Sequence, residues 1–187
     1  FTALQYFSLA LWGMPYMGVG RNLAYKKTLF IKNKGFIAHY KVSSGDDDLF
    51  INMVAHKKNT SLVFSEESFT ISPAKKTWKE WWRQKRRHLS TGSYYKRKHK
   101  FILGTYSASL FGFYVMLAIL ITSKFLLIAV FGIFLIRTIS QYLIFYKTCI
   151  KFSEKKLLVF SPVIEILLVF IYPVMVISNM VFKESRW

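Results

Sequence analysis

A chain of 187 residues that is 53% hydrophobic and carries a formal net charge of +18 lacks the balance of an ordinary soluble domain. High apolar content beside strong positive charge is instead typical of a membrane protein with a basic cytoplasmic side. Nucleic-acid binding is disfavoured, because no nucleic-acid module is recognisable and the basic residues crowd next to apolar segments. The single cysteine, Cys149, excludes an intrachain disulfide.

The first part of the chain, residues 1–92, has the punctuation of a mixed domain, with glycine and proline breaks between short periodic segments. Because the chain starts with Phe1 and its first residues do not form a signal peptide, we expect it to begin part-way through a longer protein. Ser44 is the predicted N-cap of one helix. In chain order we predict a helix over 1–11, a strand over 22–25, helices over 26–34 and 44–58, and strands over 61–64 and 68–72.

A tryptophan-rich helix is predicted over residues 76–90. Trp78, Trp81 and Trp82 recur at helical spacing, and Leu89 extends the same stripe. Basic residues lie along its flanks: Lys79, Arg83, Arg86 and Arg87. Such a helix suits the membrane interface, where indole rings lie at headgroup depth and cations reach anionic lipid. The alternative is an ordinary amphipathic helix packed on a soluble core.

Three long apolar segments follow a basic linker over 93–100. They cover residues 101–122, 125–146 and 157–182, and each is long enough to cross a bilayer as a helix. Lysines and arginines crowd before the first segment and between the second and third. The positive-inside rule therefore places residues 1–100 and 147–156 on the cytoplasmic side of an inner membrane.

Two ionisable residues lie inside the apolar segments. Arg137 lies within the second, and Glu165 in the third is a possible partner for it. An intramembrane ion pair can mark a transport path, as in a transporter-like bundle, because charges are costly to place there. A structural pair, or an arginine that reaches towards the interface, explains the same residues.

The acidic cluster Asp46, Asp47 and Asp48 is the one dense group of carboxylates in the chain. Three acids at a helix start complement the helix dipole and provide a cap. Crowded carboxylates also repel one another, which favours proton uptake by one of them and hence general-base chemistry. Both interpretations stay open on these residues alone.

Two further features can bind phosphate groups. Gly18 to Asn22 forms a glycine-rich turn that contains Arg21, although it lacks the full pattern of a dinucleotide or P-loop motif. Gln84 and Arg87 are three residues apart on the tryptophan-rich helix and therefore share one face. An amide and a guanidinium on one face can hold a diphosphate. A solvated or lipid-facing basic helix is the alternative.

The order of these features resembles the C-terminal half of a membrane-bound family 2 glycosyltransferase. Residues 18–25 look like its Gly-x-Asn-x-Ala-Tyr/Phe segment, and 45–47 look like its Gly-Glu-Asp motif. Residues 84–88 look like its Gln-x-x-Arg-Trp motif, with His88 at the usual Trp position. The resemblance implies an α/β fold for residues 1–92, as the C-terminal part of a GT-A nucleotide-sugar transferase domain. An all-α transmembrane region of about three helices would follow it.

The resemblance also implies an activity. The enzyme would transfer a sugar, with inversion, from a nucleotide-sugar to a lipid-linked or saccharide acceptor at the cytoplasmic membrane face. Asp47 would be the base, Asp46 would orient the acceptor, and Asp48 would be the second choice of base. Gln84 and Arg87 would offset charge on the departing diphosphate, with help from Arg21.

Two departures from the family pattern limit what the resemblance implies. His88 in place of Trp argues against processive synthesis and for transfer of one sugar. Its ring would either lie at the interface or reach a divalent metal, Mg or Mn, which the family holds through an Asp-x-Asp on an N-terminal half. No acidic pair precedes Asp46. We therefore expect this chain to lack the donor-binding half and to be inactive by itself.

A non-enzymatic membrane protein that binds lipid or a partner is the competing class.

Overall fold

The computed structural model of the chain describes residues 1–42 and 44–181. These residues form seven α-helices. In chain order they are α1 (Thr2–Leu11), α2 (Lys27–Lys32), α3 (Asp48–Val54), α4 (Trp78–Thr91), α5 (Arg97–Thr122), α6 (Leu127–Lys151) and α7 (Leu157–Val181). The chain divides into two compact units. One comprises residues 1–100 with the end of α7 from Pro173, and the other comprises residues 101–172.

The prediction of an α/β domain over residues 1–92 is wrong. The part of the chain that the structure describes contains helices and irregular segments but no β-strand. A strand needs a partner whose backbone completes the hydrogen-bond ladder, and the predicted strands 22–25, 61–64 and 68–72 do not pair. Two of these segments are joined by a side chain instead, since the Asn22 amide donates to the Ser68 carbonyl at 2.9 Å.

Helix α3 begins later than predicted. Gly45 has a φ of +96°, which breaks helical geometry after Ser44, so Ser44 does not cap the helix. Asp47 is the N-cap instead, and its side chain accepts a hydrogen bond from the Asp48 amide. The last acids of the cluster therefore lie at a fixed helix start.

Helix α4 confirms the predicted tryptophan-rich helix within two residues at each end. Thr77 is its N-cap, and the Thr77 hydroxyl accepts from the Glu80 amide at 3.2 Å. The rings of Trp78 and Trp81 stack with their centroids 4.7 Å apart. This stacking agrees with the helical spacing that predicted the stripe.

The core of the first unit is aromatic. The fully buried ring of Phe50 on α3 lies 4.9 Å from the ring of Tyr25, 5.5 Å from that of Phe30 and 5.9 Å from that of Phe36. Such tilted and edge-on ring pairs add to the free energy gained by burying the rings. They fix α3 against α2 and hold the acidic helix start in place.

Helices α5, α6 and α7 confirm the three predicted apolar segments as helices. Each contains an 18-residue stretch of high mean hydropathy, 1.7 in α5, 1.9 in α6 and 2.3 in α7, and each is long and apolar enough to cross a membrane. Pro162 and Pro173 do not interrupt α7. The last residue of the third predicted span, Phe182, lies outside the described residues. The chain therefore has the composition of a multi-pass membrane protein.

Candidate functional site

Asp47 is held in place by two backbone amides. The Gly20 amide donates to its Oδ2 at 2.6 Å, and the Asp48 amide donates to its Oδ1 at 2.8 Å. The approach to the glycine-rich turn is close, since a Cβ at Gly20 would lie 3.1 Å from Asp47 Oδ2. A glycine at this position therefore lets the turn reach a carboxylate 27 residues further along the chain.

Asp48 is buried and bonded to the end of α4. Its side chain is 6% exposed, and its Oδ2 accepts from the hydroxyls of Thr91 and Tyr95, each at 2.6 Å. Burial raises the pKa of the Tyr95 hydroxyl, and the nearby Asp48 charge raises it further. Gly45 leaves the room that this carboxylate needs, because a Cβ there would lie 2.6 Å from Asp48 Oδ1. Asp48 thus ties α3 to α4.

The inner face of α4 brings cations next to the acidic cluster. Partial burial lowers the pKa of His88, as do the charges of Lys85 and Arg87, while Asp47 and Asp48 act in the opposite direction. Burial, and then the charge of Arg21, lower the pKa of Lys85. The glycine-rich turn, the acidic cluster and α4 therefore share one electrostatic environment.

A second set of hydrogen bonds joins α3 to the start of α5. The buried Asn52 amide nitrogen donates to the Tyr16 carbonyl at 2.7 Å and lies 2.9 Å from Nδ1 of His99. The Asn52 Oδ1 accepts from the Lys96 amide at 2.9 Å. Because each polar group of Asn52 is bonded, the buried amide rigidifies this junction.

Arg86 bonds α4 to the end of α7. Its guanidinium donates to Asn179 Oδ1 at 2.8 Å and to the Ser178 carbonyl at 3.1 Å, and the Asn179 amide donates back to the Arg86 carbonyl at 2.9 Å. These three hydrogen bonds fix the rotation of α4 about its axis at Arg86.

The predicted site residues fall into three groups. The charge of Asp47 acts on the pKa of His88, and the charge of Arg21 acts on the pKa of Lys85 on the same helix. Gln84 and Arg87 are half-buried on α4, whereas Asp46 is exposed. Asp48 is used in holding the fold together.

Sequence reasoning missed Lys85, Thr91 and Tyr95. Lys85 lies inside the Gln-x-x-Arg segment and could have been predicted as a third cation of the site, beside Arg21 and Arg87. Thr91 and Tyr95 are hydroxyls four residues apart at the end of the tryptophan-rich helix, but they lie 43 and 47 residues from Asp48. No short-range pattern links residues so far apart.

A metal ion requires several ligating side chains close together. No three His, Cys, Asp or Glu side chains among residues 1–42 and 44–181 are grouped closely enough to hold one. His88 and Asp47 alone would leave most of a coordination sphere to be filled from elsewhere. The described residues do not fit a complete metal centre.

The second unit contains a separate polar cluster. Arg137 on α6 forms an ion pair with Glu165 on α7, which confirms the predicted partner. The Tyr114 hydroxyl on α5 accepts from Arg137 and donates to Glu165 Oε1, each at 3.2 Å, and Gln141 also accepts from Arg137. Beside this network is a small cavity, whose lining includes Thr138. The network joins all three long helices.

Comparison of the chain with protein-family models, with curated proteins and with solved structures gives no match, so the site is interpreted from its own chemistry.

Proposed function

We propose that this chain carries the acceptor-activating and diphosphate-binding residues of a membrane-bound glycosyltransferase. The enzyme would move a sugar from a nucleotide-sugar to a lipid-linked or saccharide acceptor at the cytoplasmic membrane face. One observation carries the proposal. The Gly20 amide of the glycine-rich turn donates to Asp47 Oδ2 at 2.6 Å, and this carboxylate is close enough to α4 for its charge to act on the pKa of His88.

Asp47 is the general base in this proposal. Its two oxygens accept one backbone amide each, and a carboxylate oxygen has a further lone pair for an acceptor hydroxyl. The hydroxyl proton passes to Asp47 as the hydroxyl oxygen attacks the anomeric carbon. The nucleotide diphosphate leaves from the opposite face of the sugar, so the anomeric configuration inverts. The two amides supply the fixed orientation that such a base needs.

The cations of α4 and the glycine-rich turn supply the charge for the leaving group. Burial and then the charge of Arg21 lower the pKa of Lys85, and burial and then the charges of Lys85 and Arg87 lower the pKa of His88, so like charges repel one another here. A bound diphosphate relieves that repulsion and stabilises the negative charge that develops as the bond to the sugar breaks. Gln84 adds an amide donor from the same helix.

The other two acids have different tasks. Asp46 is exposed and free of the packing that constrains its neighbours, so it is placed to orient an acceptor. Asp48 is buried and accepts hydrogen bonds from the hydroxyls of Thr91 and Tyr95, so a sugar acceptor has no access to it. Asp47 is therefore preferred over Asp48 as the base.

The test is Asp47→Asn in the native full-length protein, assayed in membranes for release of nucleotide diphosphate from nucleotide-sugars. The amide keeps the shape of the side chain but cannot take a proton, so we expect transfer to fall about 10²–10⁴-fold while nucleotide binding persists. Glu67→Gln removes an exposed acid outside the site and should leave transfer unchanged. Wild-type activity in Asp47→Asn would remove this residue as the base.

A second candidate function is a transporter-like bundle that uses Arg137 and Glu165. The ion pair between them, which Tyr114 and Gln141 extend across three helices, favours this candidate. The two functions separate by mutation. Loss of function in Arg137→Leu together with full activity in Asp47→Asn would select the bundle.

A further inference from the structure

We propose that one face of α4 and its lead-in is a binding surface for the headgroups of anionic lipids. This outer basic face consists of Lys75, Lys76, Lys79 and Arg83, with Trp78 among them. It is distinct from the residues proposed for sugar transfer and does not depend on them. Its partner is a bilayer surface that contains negatively charged phospholipid.

The structure separates the cations of this segment into two sets. Lys75, Lys76, Lys79 and Arg83 are exposed. The inner set is half-buried: Lys85, Arg86 and Arg87. The sequence pattern alone predicts that Arg86 and Arg87 also reach anionic lipid. Because both side chains are half-buried, they are not part of the outer basic face.

The outer basic face has the charge and spacing for several phosphates. Lys79 and Arg83 are one helical turn apart, about 6 Å along the helix, and Lys75 and Lys76 precede the Thr77 cap. The only acid on this stretch is Glu80. Four cations and one acid give the face a net charge of +3. Anionic phospholipid headgroups match this charge.

Trp78 identifies the partner as a membrane. Its side chain is 62% exposed, although it is among the largest apolar groups in the chain. The ring stacks on that of Trp81, with the centroids 4.7 Å apart. An exposed indole beside lysines is the arrangement that lies at headgroup depth, with the ring in the interface and the cations on phosphate.

The position of α4 in the chain supports the same partner. The first long apolar helix begins at Arg97, and the segment between α4 and α5 carries one further exposed cation, Lys96. Helix α5 begins six residues beyond Thr91 and becomes apolar at Phe101, so α4 lies within reach of the bilayer surface. A polyanion such as nucleic acid would use the same charges but would have no use for the adjacent apolar helix.

The test measures which lipid lies next to the indoles. The full-length protein, with every tryptophan other than Trp78, Trp81 and Trp82 replaced by Phe, Trp12 and Trp187 included, is reconstituted in vesicles of phosphatidylcholine with phosphatidylglycerol. Bromine is placed on the acyl chains of one lipid or of the other, and quenching of tryptophan fluorescence by the two is compared. We expect phosphatidylglycerol to quench more strongly than its share of the lipid, and added salt to weaken the preference.

The decisive variant is Lys75→Gln/Lys76→Gln/Lys79→Gln. Each lysine near the surface contributes about a fivefold preference for anionic lipid, so the triple variant should lose the enrichment. The matched control, Lys26→Gln/Lys27→Gln/Lys32→Gln, removes the same charge from exposed positions elsewhere in the unit and should keep it. Equal enrichment in both triple variants, or equal loss, overturns the proposal. Displacement of the quenching lipid by a DNA oligonucleotide would assign the face to nucleic acid.

Discussion

Replacing Tyr95 by Phe removes one of the two hydroxyls that hold the buried carboxylate of Asp48. The Tyr95 and Thr91 hydroxyls both donate to the same oxygen at 2.6 Å, and the side chain of Asp48 is 6% exposed. A hydrogen bond to a charged group contributes about 1.5–3 kcal/mol. The lost hydroxyl cannot be replaced by bulk water at so buried a position, so Tyr95→Phe should lower the free energy of unfolding by about that amount.

The second hydroxyl sharpens the prediction. Thr91→Val keeps the shape of the side chain and should have a similar cost. The double variant removes about 3–6 kcal/mol, a large share of the roughly 5–15 kcal/mol that keeps a domain folded. It also separates α3 from α4, so the site should lose its geometry as well as its stability.

The assay is urea unfolding of the full-length protein in detergent, followed by tryptophan fluorescence. Tyr94→Phe is the matched control, because Tyr94 is the neighbouring tyrosine and is 63% exposed. We expect this control to change the unfolding free energy by no more than about 0.5 kcal/mol. If Tyr95→Phe costs no more than Tyr94→Phe, the two hydroxyls do not hold the carboxylate, and Asp48 has to be reconsidered as a base.

Two further predictions concern charge. Arg137→Leu leaves the carboxylate of Glu165 buried without its ion-pair partner and should destabilise the protein by about 3–5 kcal/mol. The double variant Arg137→Leu/Glu165→Leu should recover most of that loss. Unfolding of both variants in mixed micelles tests this, and an equal loss of stability in the two would contradict it. The lowered pKa of His88 means that the folded state binds fewer protons than the unfolded state at pH values between that pKa and the ordinary value of 6.5. The free energy of unfolding should therefore fall as the pH falls below 6.5, and His88→Gln should reduce this dependence, which unfolding midpoints on both sides of pH 6.5 will measure. An unchanged slope in His88→Gln would exclude the residue as the cause.

The long helices were predictable because their signal is strong and local. More than 20 successive residues of 101–122 carry no charge, and a bilayer-length apolar run has few other solutions. The pairing of Arg137 with Glu165 was predictable for a related reason. The three apolar segments contain one basic residue, Arg137, and one acidic residue, Glu165, so each had a single candidate partner within them.

The first unit was harder to predict because its structure depends on contacts between distant residues. Segments 22–25, 61–64 and 68–72 have strand composition, but strand propensity is weak without a neighbouring strand, and here none is formed. The start of α3 was predicted too early, because the pattern of capping residues does not reveal that Gly45 adopts a positive φ. The tie between Asp48 and Tyr95 joins residues 47 positions apart, which no periodicity detects.

The three hydrogen bonds between Arg86 and residues Ser178 and Asn179 also constrain how the chain threads a bilayer. Arg86 precedes the first long apolar helix, and Asn179 lies near the end of the last one. Side chains that bond directly lie on the same side of a membrane, so the path between them crosses it an even number of times. Three apolar helices lie on that path. Three complete crossings would place Arg86 and Asn179 on opposite sides, so these hydrogen bonds and three complete crossings exclude each other.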